Sequence, residues 1–238
     1  MADARACLCA ILLLSSSAAH AQLSGSAGIV SDYLYRGISL SSGKAAPRLA
    51  VNYDGADGWY AGGQVISAQL SGATGRSAQW LGYAGYARQL ASGVSWEAGV
   101  SRYAFPQRPG WHFNEVTGGV ALDNVSARLS YAPDYLGLGT RTWYGEVNGG
   151  KDLPDVSHLP GMRLRAFWHI GYLGSVHAAP GAMIGRHDVR LGVQGGWNDW
   201  RAELSFDAAR KRKTGGVYDY GGDPRTTHEV VLGISRMF

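Results

Sequence analysis

Cysteine is nearly absent: Cys7 and Cys9 are the chain's two, and both fall in the first 21 residues. That stretch reads as a secretory signal. Arg5 is a thin positive start, Ala6 to Leu14 a short apolar run, and Ala19-His20-Ala21 a small-x-small cleavage pattern before Gln22. Both cysteines lie inside the apolar run rather than just after it, which argues against lipoprotein processing. The mature chain expected from this reading, residues 22–238, has no thiol. Disulfides, thiolate catalysis and cysteine-ligated metals are thereby excluded together, and no cofactor site is expected. Long apolar runs are missing too, since nothing beyond the signal approaches the ~20 residues that a membrane helix needs. Charge is sparse, at 17% of residues, and the net +4 comes from dispersed arginines. No basic run interleaved with aromatics points to nucleic acid. Neither Gly-x-Ser-x-Gly nor His-Glu-x-x-His occurs. A Ser–His–acid site would have to be assembled around His169, expected to face inward, or around His112, His158, His177 and His187 in or beside loops.

What the chain has in abundance is glycine (35), tyrosine (13) and tryptophan (8). These residues punctuate short alternating segments, the pattern of a transmembrane β-barrel. The last segment is the clearest. Val230, Leu232, Ile234 and Phe238 share one parity, while Glu229, Val231, Gly233 and Ser235 share the other. An apolar strand that runs to a terminal aromatic fits a closed barrel, where the last strand pairs with the first and no edge is left. Arg236 departs from that pattern. An edge strand of a β-sandwich is the alternative.

Taken in order, the expected strands are Leu23 to Arg36, Pro47 to Tyr53, Trp59 to Ser67, Gln79 to Leu90, Val94 to Tyr103 and Glu115 to Leu122. Val125 to Tyr131, Thr142 to Asn148, Arg163 to Tyr172, His187 to Trp197, Trp200 to Asp207 and the final segment complete about twelve. Short turns and longer loops alternate, apart from 149–162. That rhythm is the one of an up-and-down outer-membrane barrel with both termini periplasmic. Aromatics collect at two levels: Tyr53, Trp59, Trp96, Trp197, Trp200 and Phe238 at the periplasmic rim, and Tyr33, Tyr35, Tyr131, Trp143 and Tyr172 at the outer one.

Two motifs carry a family resemblance. Ser31-Asp32-Tyr33-Leu34-Tyr35-Arg36-Gly37-Ile38-Ser39 follows an S-D-Y-x-x-R-G-x-S pattern, and Ser130-Tyr131-Ala132-Pro133-Asp134-Tyr135-Leu136-Gly137 an S-Y-x-P-D-Y-x-G pattern. With the signal, the length and the Ile234-Ser235-Arg236-Met237-Phe238 ending, the chain resembles the TorF-type proteobacterial porins. The resemblance implies an outer-membrane barrel acting as a porin, and supplies no site residues.

Strand parity nominates the inward charges. Asp32, Arg36, Arg128, Glu146, Arg163, Arg165, Arg190, Arg201 and Glu203 are the expected pore lining, with Arg48, Arg88, Glu97, Glu115 and Asp207 also inward. About twelve strands enclose a lumen between the filled eight-stranded kind and the open porins. The expected function is a narrow channel for passive diffusion of small hydrophilic solutes. Anion preference would come from arginine, with Arg163 and Arg165 as an uncompensated pair. The opposing expectation is that acids and arginines pair and hold a non-conducting structural, adhesive or lipid-binding barrel rigid. Asp32 and Arg36 lie too far apart along a strand to pair, so each needs a partner on an adjacent strand, with Arg48 within reach. The run Arg210-Lys211-Arg212-Lys213 suits lipopolysaccharide phosphates, or is a solvated loop. Outer-membrane lipids, small solutes and the barrel-assembly machinery, the last through Phe238, are the expected partners.

Overall fold

The computed structural model describes residues 22–69, 75–154, 161–177, 185–211 and 226–238. The expected signal at 1–21, His158, Arg212 and Lys213 lie outside the described residues. The strands are β1 (Gln22–Val30), β2 (Leu34–Tyr35), β3 (Ile38–Ser39), β4 (Ala46–Asp54), β5 (Trp59–Ala68), β6 (Ser77–Gln89) and β7 (Ser95–Ala104). They continue as β8 (Phe113–Leu122), β9 (Val125–Tyr135), β10 (Thr140–Asp152), β11 (Arg163–His177), β12 (Gly185–Trp197), β13 (Trp200–Lys211) and β14 (Thr226–Met237). A 3-10 turn, Pro109–Trp111, precedes β8. Twelve of the strands close into one antiparallel barrel in chain order, and β2 with β3 forms a separate hairpin. Closure is made by β14 on β1, from Ser26 opposite Met237 to Val30 opposite Gly233. Phe238 extends the seam, exchanging backbone hydrogen bonds with Gly25 at 2.9 and 3.0 Å.

Alternation decides which way each strand faces. Outward positions carry Leu49, Val51, Val100, Val116, Leu129, Ile170, Leu191, Leu204, Val230 and Leu232, all exposed, with Leu23 at 72% and Val230 at 62%. A continuous apolar belt of this extent has no stable place in water. In lipid it is the solvated face, and the closed ladder leaves no backbone group unsatisfied there. By the same parity, the carboxylates on the described barrel strands take inward positions, apart from Asp134, which is exposed at the bulge of β9 beside the buried Tyr135.

The start of β1 at Gln22 and the C-terminal Phe238 lie at one end of the barrel, here called the near end. The turns at that end are short except for 153–162, and the expected near rim of aromatics is present. Trp59 meets Tyr86 edge-on at 5.3 Å, Tyr86 lies 5.7 Å from Trp96, and Trp197 faces Trp200 across strands. At the far end, Trp143 and Tyr172 pair at 5.1 Å on the outside, and Tyr131 is exposed beside them.

Three expectations are corrected. The first wall strand ends at Val30, not Arg36. Tyr33 and Tyr35 consequently point into the barrel instead of joining the outer rim. Arg88 takes the outward parity of Trp80 and Tyr86, opposite Trp96 at the near rim, where its long side chain reaches water without crossing lipid.

Leu191→Arg is expected to cost about 2–4 kcal/mol, because it places a cation on the lipid face near mid-wall. Gln194→Arg, which faces the lumen, is expected to cost far less. Urea titration of the protein folded into lipid vesicles measures both.

Candidate functional site

The segment after Val30 builds the site. Ser31 stays on the seam: its N–H donates to the Leu232 carbonyl at 2.7 Å, and its Oγ accepts from the Leu232 N–H at 2.9 Å. The chain then turns inward around Asp32, whose Oδ1 accepts the hydroxyls of Ser39 and Ser41, each at 2.6 Å. The Tyr33 N–H donates to Ser41 Oγ at 2.8 Å. These local bonds satisfy the polar groups of a segment that leaves the wall, which continued pairing would otherwise have done. The hairpin closes through Arg36 (φ 49°) and Gly37 (φ 75°), the two positive-φ positions of a type I′ turn. Gly37 is required twice over. Its φ suits glycine, and a Cβ there would overlap the side chains of Ala209 and Asp188.

The hairpin forms the barrel's interior core. Tyr33, Ile38 and Leu40 pack with Ile66 and Ala68 of β5, Tyr103 of β7, Phe113 of β8, Ala132 and Tyr135 of β9, Tyr144 of β10 and Leu173 of β11. Leu40, Phe105 and Tyr135 are fully buried. Tyr103 stacks on Phe113 at 4.6 Å, and Phe113 meets Tyr135 edge-on at 4.9 Å. The second motif supplies Tyr135 and Leu136. The turn that carries them needs φ > 0 at Leu136, Gly137 and Gly139, and is tied by Asp134 accepting the Gly139 N–H at 2.6 Å. The two motifs, about a hundred residues apart in sequence, thus meet in one plug at the far end. Burying each large side chain is worth about 1.5–3 kcal/mol.

Arg36 locks the hairpin across the lumen. Its Nη1 and Nη2 donate to Glu115 Oε1 and Oε2, both at 2.8 Å, and the two side chains are 7% and 2% exposed. The guanidinium also lies 4.2 Å from the Tyr144 ring centre and 4.8 Å from that of Tyr35. Burial alone would pull its pKa down, but the Glu115 carboxylate outweighs it and holds the group well above the ordinary arginine value. Arg36 therefore stays charged, and the pair is bidentate and desolvated. Asp32 and Arg36 do not pair, as expected, but the partner of Arg36 lies across the lumen on β8 and not on an adjacent strand. Arg48 does not join this pair.

Beneath the plug lies a well of about 1060 Å³. Its lining runs from Asn198, Asp199 and Met237 at the near mouth to Tyr33, Tyr35, Arg36 and Gly37 on the hairpin's underside. Leu40, Phe105 and Leu136, beyond the hairpin, do not line it. Of the expected pore residues, Arg36, Arg128, Glu146, Arg163, Arg165, Arg190, Arg201 and Glu203 line this well, as do Arg48, Glu97, Glu115 and Asp207. Asp32 does not: it is buried at the hairpin's base.

Most of these charges are paired. Arg190 Nε donates to Asp207 at 2.5 Å, and Arg128 bridges Glu97 at 2.6 Å and Glu146 at 3.6 Å. Arg165 is compensated by Asp152 at 2.8 Å, so the expected uncompensated pair with Arg163 is not present. The correction follows from strand length. β10 runs on to Asp152, beyond the expected end at Asn148, and brings that carboxylate opposite Arg165. Arg48 has no ion pair among the described residues.

One cluster is new. His169 lies with Nδ1 2.6 Å from Asn148 Oδ1 and Nε2 2.8 Å from Asp188 Oδ1, and Tyr144 donates to the same Asp188 oxygen at 3.0 Å. Parity alone puts Asp188 inward. Nothing in the sequence pairs it with a tyrosine that also seats Arg36.

Removing one member of a buried ion pair typically costs 3–5 kcal/mol. Glu115→Gln is therefore expected to unseat the hairpin locally. In a background carrying Ile38→Cys, maleimide labelling of the otherwise cysteine-free mature chain should accelerate at least about a hundredfold. Asp152→Asn, at the near mouth, should leave that rate unchanged.

The chain is similar to several solved structures. The KdgM porin aligns at 16% identity over 90% of this chain and 99% of its own, with a TM-score of 0.50. An outer membrane channel from Pseudomonas putida F1 aligns at 11% over 91% and 95% (TM-score 0.49), and LpxR from Salmonella typhimurium at 9% over 90% and 99% (TM-score 0.47). No curated protein sequence matches the chain. The family described as "Bacterial protein of unknown function (Gcw_chp)" matches residues 15–229, which include both motifs and all the wall strands but most of the last, and the chain belongs to that family.

Proposed function

We propose that the chain is an outer-membrane channel for passive diffusion of small hydrophilic solutes, closed at its far end by the inward hairpin. The observation that carries this reading is the well itself. A barrel needing only rigidity would fill its lumen, whereas this one keeps about 1060 Å³ of space, lined in part by arginines and carboxylates, under a lid joined to the wall by a single loop. Its fold is that of a porin, in keeping with the porin reading of the TorF-type resemblance. The near end, with its short turns and the start of β1, is then periplasmic, and the C-terminal strand ending in Phe238 is the segment presented to the assembly machinery.

Weak anion preference follows from Arg48, which lines the well and has no ion pair among the described residues. Glu203 and the paired carboxylates moderate it. A hydrolytic role has less support, because both nitrogens of His169 already face Asn148 and Asp188. The competing reading, a non-conducting structural or adhesive barrel, is favoured by the full burial of Leu40, Phe105 and Tyr135 in the plug.

Single-channel recording in planar bilayers separates the two. Wild type is expected to show rare, brief openings. Glu115→Gln should lengthen them, and replacing residues 33–40 with a Gly-Ser linker should give persistent conductance with a reversal potential on the anion side. Silence of the linker variant, with folding shown by heat-modifiable gel mobility, would leave only the non-conducting barrel.

A further inference from the structure

The outward face of β10 to β14 carries bases along its far rim. Arg141 on β10, His187 on β12, Arg210 on β13 and His228 on β14 are exposed and share the parity of the apolar belt. His187 and Arg210 are cross-strand partners. Ring contacts fix their level: His187 lies 4.5 Å from Tyr172 of the aromatic rim, and His228 stacks at 6.1 Å on Phe206. The bases therefore begin where the aromatic girdle ends, at the depth of lipid headgroups.

No carboxylate of β10 to β14 shares this face; the exposed Asp134 of β9, in the bulge across from Arg141, is engaged by the Gly139 N–H at 2.6 Å, and Arg141 and Arg210 have no ion pair among the described residues. The near rim differs. There the outward bases Lys151 and Arg236 share the rim with turn carboxylates, and Asp199 comes within 3.9 Å of Arg236.

From this arrangement we infer that the far rim of β10 to β14 is a docking surface for phosphate-bearing lipid, with Arg141 and Arg210 taking the phosphate groups and His187 and His228 flanking them. Guanidinium suits phosphate through its planar fork of donors. Directly below the bases, Ile170, Val189, Phe206 and Val230 continue the apolar belt. Headgroup and acyl chain thus meet adjacent surfaces, which a free phosphate would not use. The inference rests on the barrel spanning a membrane, not on its channel being open.

The test uses the refolded full chain in detergent with three probes: diphosphorylated lipopolysaccharide, its enzymatically dephosphorylated form, and inorganic phosphate. Native mass spectrometry should show the phosphorylated lipid retained by wild type, and retention falling roughly tenfold or more in Arg141→Gln/Arg210→Gln, on the scale of two surface cations at a phosphate layer. The dephosphorylated lipid should bind both proteins equally and weakly, and inorganic phosphate should not displace the lipid. Equal retention by the double variant overturns the inference, as does displacement by inorganic phosphate at matched concentration. Gel mobility verifies that the variant is folded. Failure of the wild type to conduct would bear on the channel and leave this result standing.

Discussion

Every backbone N–H and C=O that faces hydrocarbon must find its partner within the protein, and the rest of the structure follows from that constraint. It forces the sheet to close, so β14 must return to β1. Closure with strict alternation then separates two solvents. The outer face is solvated by lipid, and the inner face collects whatever lipid will not accept. The inward carboxylates and arginines are first of all the residue of that sorting, and only then a lining with consequences for solutes.

Twelve strands enclose more space than the wall's own side chains fill. The chain answers by folding a loop inward and giving it a core of the kind found in water-soluble proteins, built from Leu40, Phe105, Tyr135 and their neighbours. A core of this size could hold by packing alone. The Arg36–Glu115 pair adds a different property: a desolvated pair contributes little net stability when intact, yet breaking it is costly. It makes seating of the hairpin close to all-or-none.

The wall was legible in the sequence because a period of two is a local signal. Val125, Ala127, Leu129 and Tyr131 point one way and Ser126, Arg128 and Ser130 the other, and lipid enforces that reading strand by strand. The hairpin was not. Residues 31–36 continue an alternation that looks like wall, and the signal that ends the strand is Asp32 meeting Ser39 and Ser41, contacts made only after the turn has formed. The partner of Arg36 was illegible for a related reason: Glu115 lies 79 residues away on the opposite wall, and no periodicity encodes a contact across a lumen. Arg165 failed through a boundary. Ending β10 a few residues early hid Asp152, and with it the charge balance of the near mouth.

Ser31 serves two structures at once. It is a rung of the seam, bonded to Leu232 through both its N–H and its Oγ, and it is the point from which the hairpin departs. The seam ladder is short, running from Ser26 to Val30, whereas β12 and β13 pair along their whole length. The hairpin thus hangs from the end of the shortest ladder among the described wall strands.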